Sequence, residues 1–419
     1  MSTIDIERDV GSLDMELIEE TAEWLMEQAL KDHEIGTIVA GCCERLVDAG
    51  VPLLRSYFAF STIHPLYRAV GYTWIRGSGI TVDKYLHQPG GAKPEGYSGS
   101  PFAQMFKDQV TFIRRQLNKS TENEFTVFKD LIALGAVDYY AFLVPFQDVG
   151  EEDMRGMFGS WASDRIFTDA EMLALKRIQR RLAVACKMAV RTRLTTIVVK
   201  TYLGGQAGER VLSGQIKRGD GETINAAIWY ADMRGSTRLA DLLSRQDYID
   251  TLNAYFDVVA NAVIEAGGEV LSFIGDAVLA IFPINGSQGC DAALRAAIGA
   301  RMDLMRKNEE RVRQGLSELD CVIGLHMGDV MFGNVGVPER LTFSVFGAAV
   351  NEVARLEQLC KALGEPILAS EEFKNCLEGC WRPMGEHMLH GFSNAIGVFA
   401  PEEHLFCQEW LGSAPSPLV

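Results

Sequence analysis

The chain has no apolar run near the ~18 residues that a bilayer-spanning helix needs. Its first residues, MSTIDIERDVGSLDMELIEE, are acidic where a secretory leader would be basic and then apolar. Neither membrane insertion nor export is expected, and a cytoplasmic location is. Positive charge is also scarce: 40 Lys and Arg stand against 56 Asp and Glu, a net charge of −16. A nucleic-acid partner would want a basic face and is not expected. The nine Cys follow no metal-ligand spacing. Cys42 and Cys43 are adjacent, Cys376 and Cys380 share one helical face, and buried reduced thiols are the plain expectation. One scarcity is local: no Lys occurs between Lys217 and Lys307.

What is present is ordinary for a globular protein. The 419 residues are 47% hydrophobic and 23% charged, enough for two domains with a core each. After a tail (1–13), residues 14–50 show apolar positions at helical spacing: Leu17, Ala22, Leu25 and Leu30, then Ile38, Cys42, Leu46 and Val47. SYFAFSTI (56–63), AVGYTWIRG (69–77) and YYAFLVPF (139–146) read as strands. Together they make an α/β domain over 14–168. A long helix follows over 169–203, with Thr168 and Asp169 at its start resembling a cap. GGQAGERVLSGQIKRGDGE (204–222) is rich in Gly and charge and reads as a linker.

Beyond it, over 223–402, strands and helices alternate, which indicates a sheet with helices packed on it. TINAAIWYADM is a strand, and SRQDYIDTLNAYFDVVANAVIEAGG is a helix with Ser244 and Asp247 placed as a capping box. EVLSFIGDAVLAIF is two short strands joined by a Gly-Asp turn, and LDCVIGLHMGDVMFGNVG reads as another strand pair. LTFSVFG leads into the helix AAVNEVARLEQLCKAL, and 403–419 is a second tail.

Two carboxylates stand at strand ends. Asp232 closes the apolar AAIWYAD, and Asp276 occupies the Gly-Asp turn. If their strands are neighbours the acids converge, and a close pair of like charges calls for a cation between them. All-oxygen ligands suit Mg²⁺ or Mn²⁺; the bland alternative is two solvated turn acids. Gly235-Ser236-Thr237 opens a helix, where free backbone N–H groups favour phosphate. Asn351 and Arg355 lie four apart on a helix and share a face with a neutral donor and a guanidinium, which can grip a phosphoryl group or simply line a helix surface.

Taken together, YADMRGST, GGEVLSFIGDAVLAIF, GLHMGDVMFGNVG and RLTFSVFGAAVNEVARLE resemble, in order, the motifs of the class III nucleotidyl cyclases of the bacterial adenylate cyclase type. The resemblance covers roughly residues 222–400. It implies a ferredoxin-like α/β (α+β) catalytic domain and two divalent ions per site on Asp232 and Asp276. One ion would activate the ribose 3′-hydroxyl and the other would neutralise the triphosphate. It also implies Asn351 on the ribose, Arg355 on the α-phosphate, pyrophosphate as leaving group, and an obligate head-to-tail homodimer. The implied function is conversion of ATP to 3′,5′-cyclic AMP.

The sequence departs from the pattern at the base. Ser272 stands where adenylate cyclases of this class place a Lys that bonds adenine, and Ser344 where they place Asp or Thr. Losing that bond is worth roughly 1–3 kcal/mol. Relaxed purine use, a pyrimidine substrate, or a silent nucleotide-binding regulator are therefore the alternatives. Asp329 stands where some members carry a phosphate-binding Arg, and His326 matches a structural His.

The layout of 14–203 resembles a GAF- or PAS-like sensor, with SDRIFTDAEMLALKRIQRRLA similar to the end of a GAF domain. That implies an unidentified small ligand or protein signal there. His64 and His87 are candidate haem or metal ligands, and Trp74, Tyr139 and Tyr140 candidate pocket residues; structural roles are the alternative for each.

Overall fold

The computed structural model describes residues 13–61, 66–88, 96–146, 156–284, 288–377, 381–390 and 394–402. His64, Cys380 and the tails 1–12 and 403–419 lie outside the described residues. The chain divides into two compact units, Met1–Val198 and Val199–Val419.

In the first unit, α1 (Met15–Ala29) and α2 (Ile35–Asp48) occupy the stretch expected to be helical. Asp14 starts α1 by accepting hydrogen bonds from the Glu16 and Leu17 amides. The strands are β1 (Leu53–Ser61), β2 (Tyr67–Ile75), β3 (Gly79–Leu86), β4 (Phe112–Gln116), β5 (Asp138–Pro145) and β6 (Gly156–Ser163), with α3 (Pro101–Lys107) and α4 (Thr126–Ala133) between them. They form one antiparallel sheet in the order β3-β2-β1-β6-β5-β4.

Strand alternation sends successive side chains to opposite faces. Tyr140 and Phe142 join Phe58 and Trp161 against α1, α2 and the long helix α5 (Asp169–Leu203), while Tyr139 and Ala141 pack with Phe128 of α4. Trp74, Tyr139 and Tyr140 are all buried in these cores, so packing accounts for them. His87 is exposed, just past the end of β3.

α5 begins as expected at Thr168. The Glu171 amide donates to Thr168 Oγ1, and the Glu171 carboxylate accepts from the Thr168 amide at 2.8 Å, a reciprocal capping box. The boundary between the units falls inside this 35-residue helix.

The second unit departs from expectation at its start. Residues read as linker instead form the helix α6 (Gly205–Leu212), with Ala207 buried. The helix is held by the sheet: Glu269 accepts hydrogen bonds from the Gln206 and Ala207 amides at 2.8 and 2.9 Å.

Then come β7 (Gly221–Met233), α7 (Ser236–Leu242), α8 (Arg245–Glu265), β8 (Glu269–Ile274), β9 (Ala277–Pro283), α9 (Gln288–Arg313) and β10 (Cys321–Val337). The Ser244 hydroxyl caps α8 as the sequence suggests, accepting from the Asp247 amide. The stretch read as a strand pair over 319–336 carries a single strand, β10, pairing with β7 along 321–333. The rest is β11 (Arg340–Phe346), α10 (Ala348–Leu363), β12 (Ile367–Ser370), α11 (Glu371–Asn375), β13 (Trp381–Met388) and β14 (Ala395–Pro401).

The sheet runs β13-β14-β12-β10-β7-β9-β8, with β11 also on β10. Its β10-β7-β9-β8 portion, with α8 and α9 as connections, is the split βαββαβ arrangement of the ferredoxin-like fold. α8 and α9 cover one face, over Trp229, Val278, Phe282 and Ile323. The other face carries Ile228, Ile281 and Phe332, under Ala207 of α6 and Val353 of α10.

Candidate active site

The sheet register decides where the acids go. β7 and β9 are antiparallel neighbours, with Ala231 opposite Val278, so Asp232 and the turn residue Asp276 lie at the same sheet end. Trp229 and Ala231 point to the α8/α9 core. Alternation therefore sends Ile228, Tyr230 and Asp232 to the α10 side. The convergence anticipated from sequence is present: the Asp276 carboxylate is close enough for its charge to act on Asp232.

The electrostatics of this corner are strained. One oxygen of Asp276, Oδ2, is buried without a hydrogen-bond partner. Burial, and then the Asp276 charge, push the Asp232 carboxyl above its ordinary range against the pull of Lys361. Lys361 of α10 is ion-paired to Asp232 and, at 2.9 Å, to buried Glu357. Burial likewise raises Glu357, with Lys361 opposing. The buried Tyr255 hydroxyl of α8 adds another unpaired polar atom, and its phenol is pushed up by burial and by the acids around it.

Three carboxylates, an orphaned buried oxygen and an ammonium between two of the acids describe a place for hard cations. The all-oxygen donor set fits Mg²⁺ or Mn²⁺. Sequence reading missed Glu357 and Lys361. Their i,i+4 spacing on α10 was a visible signal, but what they face was not.

Asn351 and Arg355 are not part of this cluster. At about 100° per residue, they sit about 80–160° around α10 from Glu357 and Lys361. Asn351 is exposed, and Arg355 donates to Gln358 Oε1 at 2.9 Å. Within one chain, the acids and the Asn–Arg pair therefore look in different directions.

Gly235 is the cap of α7, which begins at Ser236, followed by Thr237, and no side chain caps its first amides. Ser272 is half-buried on β8, beside a register shift, and Ser344 is buried on β11 opposite Gly333. Leu271, Phe343 and Val345 share one apolar cluster, which draws these two strands together. Asp329 pairs across β10–β7 with Asn225 and accepts from its amide at 2.8 Å. Seven strand residues, roughly 23 Å at 3.3 Å each, separate Asn225 from Asp232, so Asp329 is not with the acids of its own chain. His326 is buried, with its Nδ1 at 2.8 Å from Ser370 Oγ.

Residues 221–394 match the family model of the adenylate and guanylate cyclase catalytic domain. This unit belongs to that family. An adenylate cyclase of Anabaena cylindrica is 36% identical over 160 residues, 37% of this chain and 31% of the relative. Adenylate cyclase 1 of Rhizobium meliloti is 28% identical over 176 residues, 41% of this chain and 26% of the relative. The matched stretch is thus under a third of either relative's length. Among solved structures, the adenylyl cyclase CyaB of P. aeruginosa aligns with a TM-score of 0.40 at 24% identity, over 43% of this chain and 94% of that one. No helix among the described residues is long and apolar enough to cross a membrane.

Proposed function

We propose that the chain is a nucleotidyl cyclase that converts ATP to 3′,5′-cyclic AMP and pyrophosphate and works as a head-to-tail homodimer. The observation that carries the reading is the Asp232–Asp276 pair at one sheet end, with a buried carboxylate oxygen lacking any partner. Asp232 and Asp276 would hold two divalent ions, which supply charge neutralisation of the triphosphate and acidification of the ribose hydroxyl. Lys361 gives way there and keeps Glu357 as its partner.

The ribose 3′-oxygen forms the new bond to the α-phosphorus. The bond from that phosphorus to the oxygen bridging to the β-phosphate breaks, and pyrophosphate leaves. The hydroxyl proton passes to solvent. The uncapped amides from Gly235 to Thr237 face the phosphates. Asn351 orients the ribose, and Arg355 places a fixed guanidinium on the charge that develops at the α-phosphate. The separation of Asn351 and Arg355 from the acids around α10 supports the dimer: a second copy brings its own Asn–Arg face to the first copy's acids.

Ser272 favours a second reading, a relaxed base preference, because a short hydroxyl replaces a long cationic donor. The first unit, with one antiparallel sheet between helix layers leading into α5, is read as a GAF-like sensor for a small ligand or protein signal. A chain starting at Val199 keeps α6 and tests that role; unchanged activity and dimerisation would count against it.

The deciding experiment supplies ATP, GTP, CTP and UTP separately with Mn²⁺ and identifies products by mass. Cyclic AMP from ATP, lost in Asp276→Ala, is expected. No cyclic product from any nucleotide would overturn the enzymatic reading, and product persisting in Asp276→Ala would overturn the metal assignment.

A further inference from the structure

A second polar cluster lies in the cyclase domain, built by three elements that the reaction does not otherwise explain. His326 of β10 is 4% exposed, and its Nδ1 lies 2.8 Å from Ser370 Oγ. Glu352, the fifth residue of α10, places Oε1 at 3.5 Å from the same nitrogen, and Glu372 of α11 places Oε2 at 3.9 Å. Among the described residues, these are the three His, Cys, Asp or Glu side chains whose ligand atoms come within 4.8 Å of one another.

The cluster lacks a cation. Glu352 Oε1 is buried with no hydrogen-bond partner. Among the described residues, no Lys or Arg forms an ion pair with Glu352 or Glu372. His326 does not supply the charge, since burial pulls its imidazole down to about 4 and leaves it neutral near pH 7. Burial, and then Glu372, push the Glu352 carboxyl up to about 7. A neutral imidazole beside two acidic side chains offers one nitrogen and two oxygen ligands, not an ion pair.

The geometry agrees. Bonds of about 2.1 Å in a tetrahedral shell set ligand atoms roughly 3.4 Å apart. The 3.5 and 3.9 Å separations need to close by a few tenths of an ångström, and the 54% exposed side chain of Glu372 can supply the movement and the entry path. Ser370 Oγ shares a hydrogen bond with Nδ1, its direction set by the imidazole tautomer, and accepts from the Phe373 amide at 3.3 Å. An ion taking the Nδ1 lone pair frees that hydroxyl to turn toward a carboxylate, with the imidazole proton on Nε2.

We propose that His326, Glu352 and Glu372 bind one divalent transition-metal ion of the Zn²⁺ type, tying the N-terminal part of α10 to β10 and α11. The imidazole nitrogen separates this site chemically from the all-oxygen Asp232–Asp276 pair, because Mg²⁺ takes oxygen and dehydrates reluctantly while Zn²⁺ accepts nitrogen and carboxylate together. Its placement gives it a consequence: Glu352 is the residue after Asn351, so an ion there fixes the turn that presents Asn351 to the partner chain.

The test is a calorimetric titration of Zn²⁺ into the full chain carrying Asp276→Ala, in excess Mg²⁺, so that turnover and the first site play no part. One ion per chain is expected, with affinity at least tenfold weaker when Glu372→Gln or Glu352→Gln is added. Glu372→Gln is the variant least able to disturb folding. Zn²⁺ should raise Tm in the parent and not in Glu372→Gln, and Co²⁺ should give the visible bands of a four-coordinate nitrogen–oxygen site without a thiolate charge-transfer band. No saturable binding, binding indifferent to both Gln substitutions, or a thiolate band would each overturn the assignment.

Discussion

Glu269 offers a local test of why α6 is a helix at all. Its side chain is 6% exposed, one oxygen accepts both α6 amides, and the other is buried without a partner. Burial pushes the carboxyl above its ordinary range, with the two backbone donors pulling back. Replacing a capping carboxylate by Ala costs about 0.5–2 kcal/mol. Hydrogen bonds to a charged acceptor argue for the upper part of that range, and relief of the unpaired buried oxygen argues against more. A net loss of about 1–2 kcal/mol should open α6 locally about 5- to 30-fold more often. Hydrogen exchange followed by mass spectrometry should show that acceleration over residues 205–212 in Glu269→Ala, with α8 unchanged. Glu269→Gln keeps one acceptor oxygen and should fall between. Unaltered protection of 205–212 in Glu269→Ala would show that the apolar contacts of Ala207 and Val211 alone hold the helix.

In the first unit, the Glu171 carboxyl is held below its ordinary value: burial raises it, but Arg165 and the Thr168 amide and hydroxyl outweigh that. The unfolded chain then binds this proton more readily, so the contribution is full above the ordinary carboxylate pKa and is lost as pH falls; Glu171→Gln should flatten the acid limb of a denaturation profile. A Cβ on Gly159 would come 2.3 Å from the Phe142 ring. Gly159→Ala should therefore cost about 1–3 kcal/mol and lower Tm by roughly 2–12 °C, and Phe142→Leu in the same chain should recover part of it by calorimetry. Mixing Asp232→Ala chains with Arg355→Ala chains should restore activity to about a quarter of the unmutated level, since random pairing gives half heterodimers with one intact site of two; no recovery in a mixture shown to exchange subunits would refute the shared site.

Much of this fold could be read because its elements announce themselves locally. AAIWYAD, VLAIF and the capped run after Ser244 carry period and boundary within a few residues. The misses share a different cause. GITVDKYL is largely exposed, and GMFGSWAS is mostly small residues, so β3 and β6 have no apolar alternation to show. Gly159 is small because Phe142 lies on it, a fact about a strand seventeen residues earlier. α6 is two turns long, and its decisive partner, Glu269, is 62 residues from Ala207. β10 was cut in two at its glycines, yet the strand continues because β7 pairs with it throughout that region.

The site was legible as residue types but not as a direction. Asp232 and Asp276 converge because β7 lies between β10 and β9, and any other strand order would have left them as solvated turn acids. The i,i+4 rule correctly put Asn351 with Arg355 and equally puts Glu357 with Lys361, but it cannot say which pair the acids meet. The structure gives the acids to Glu357 and Lys361. A single chain therefore sets one ammonium against three clustered acids, Asp232, Asp276 and Glu357, while Asn351 and Arg355 lie elsewhere around α10. Under the proposed mechanism, that ammonium must give way to the cations, and a second copy must bring its own Asn–Arg face, before the site is complete.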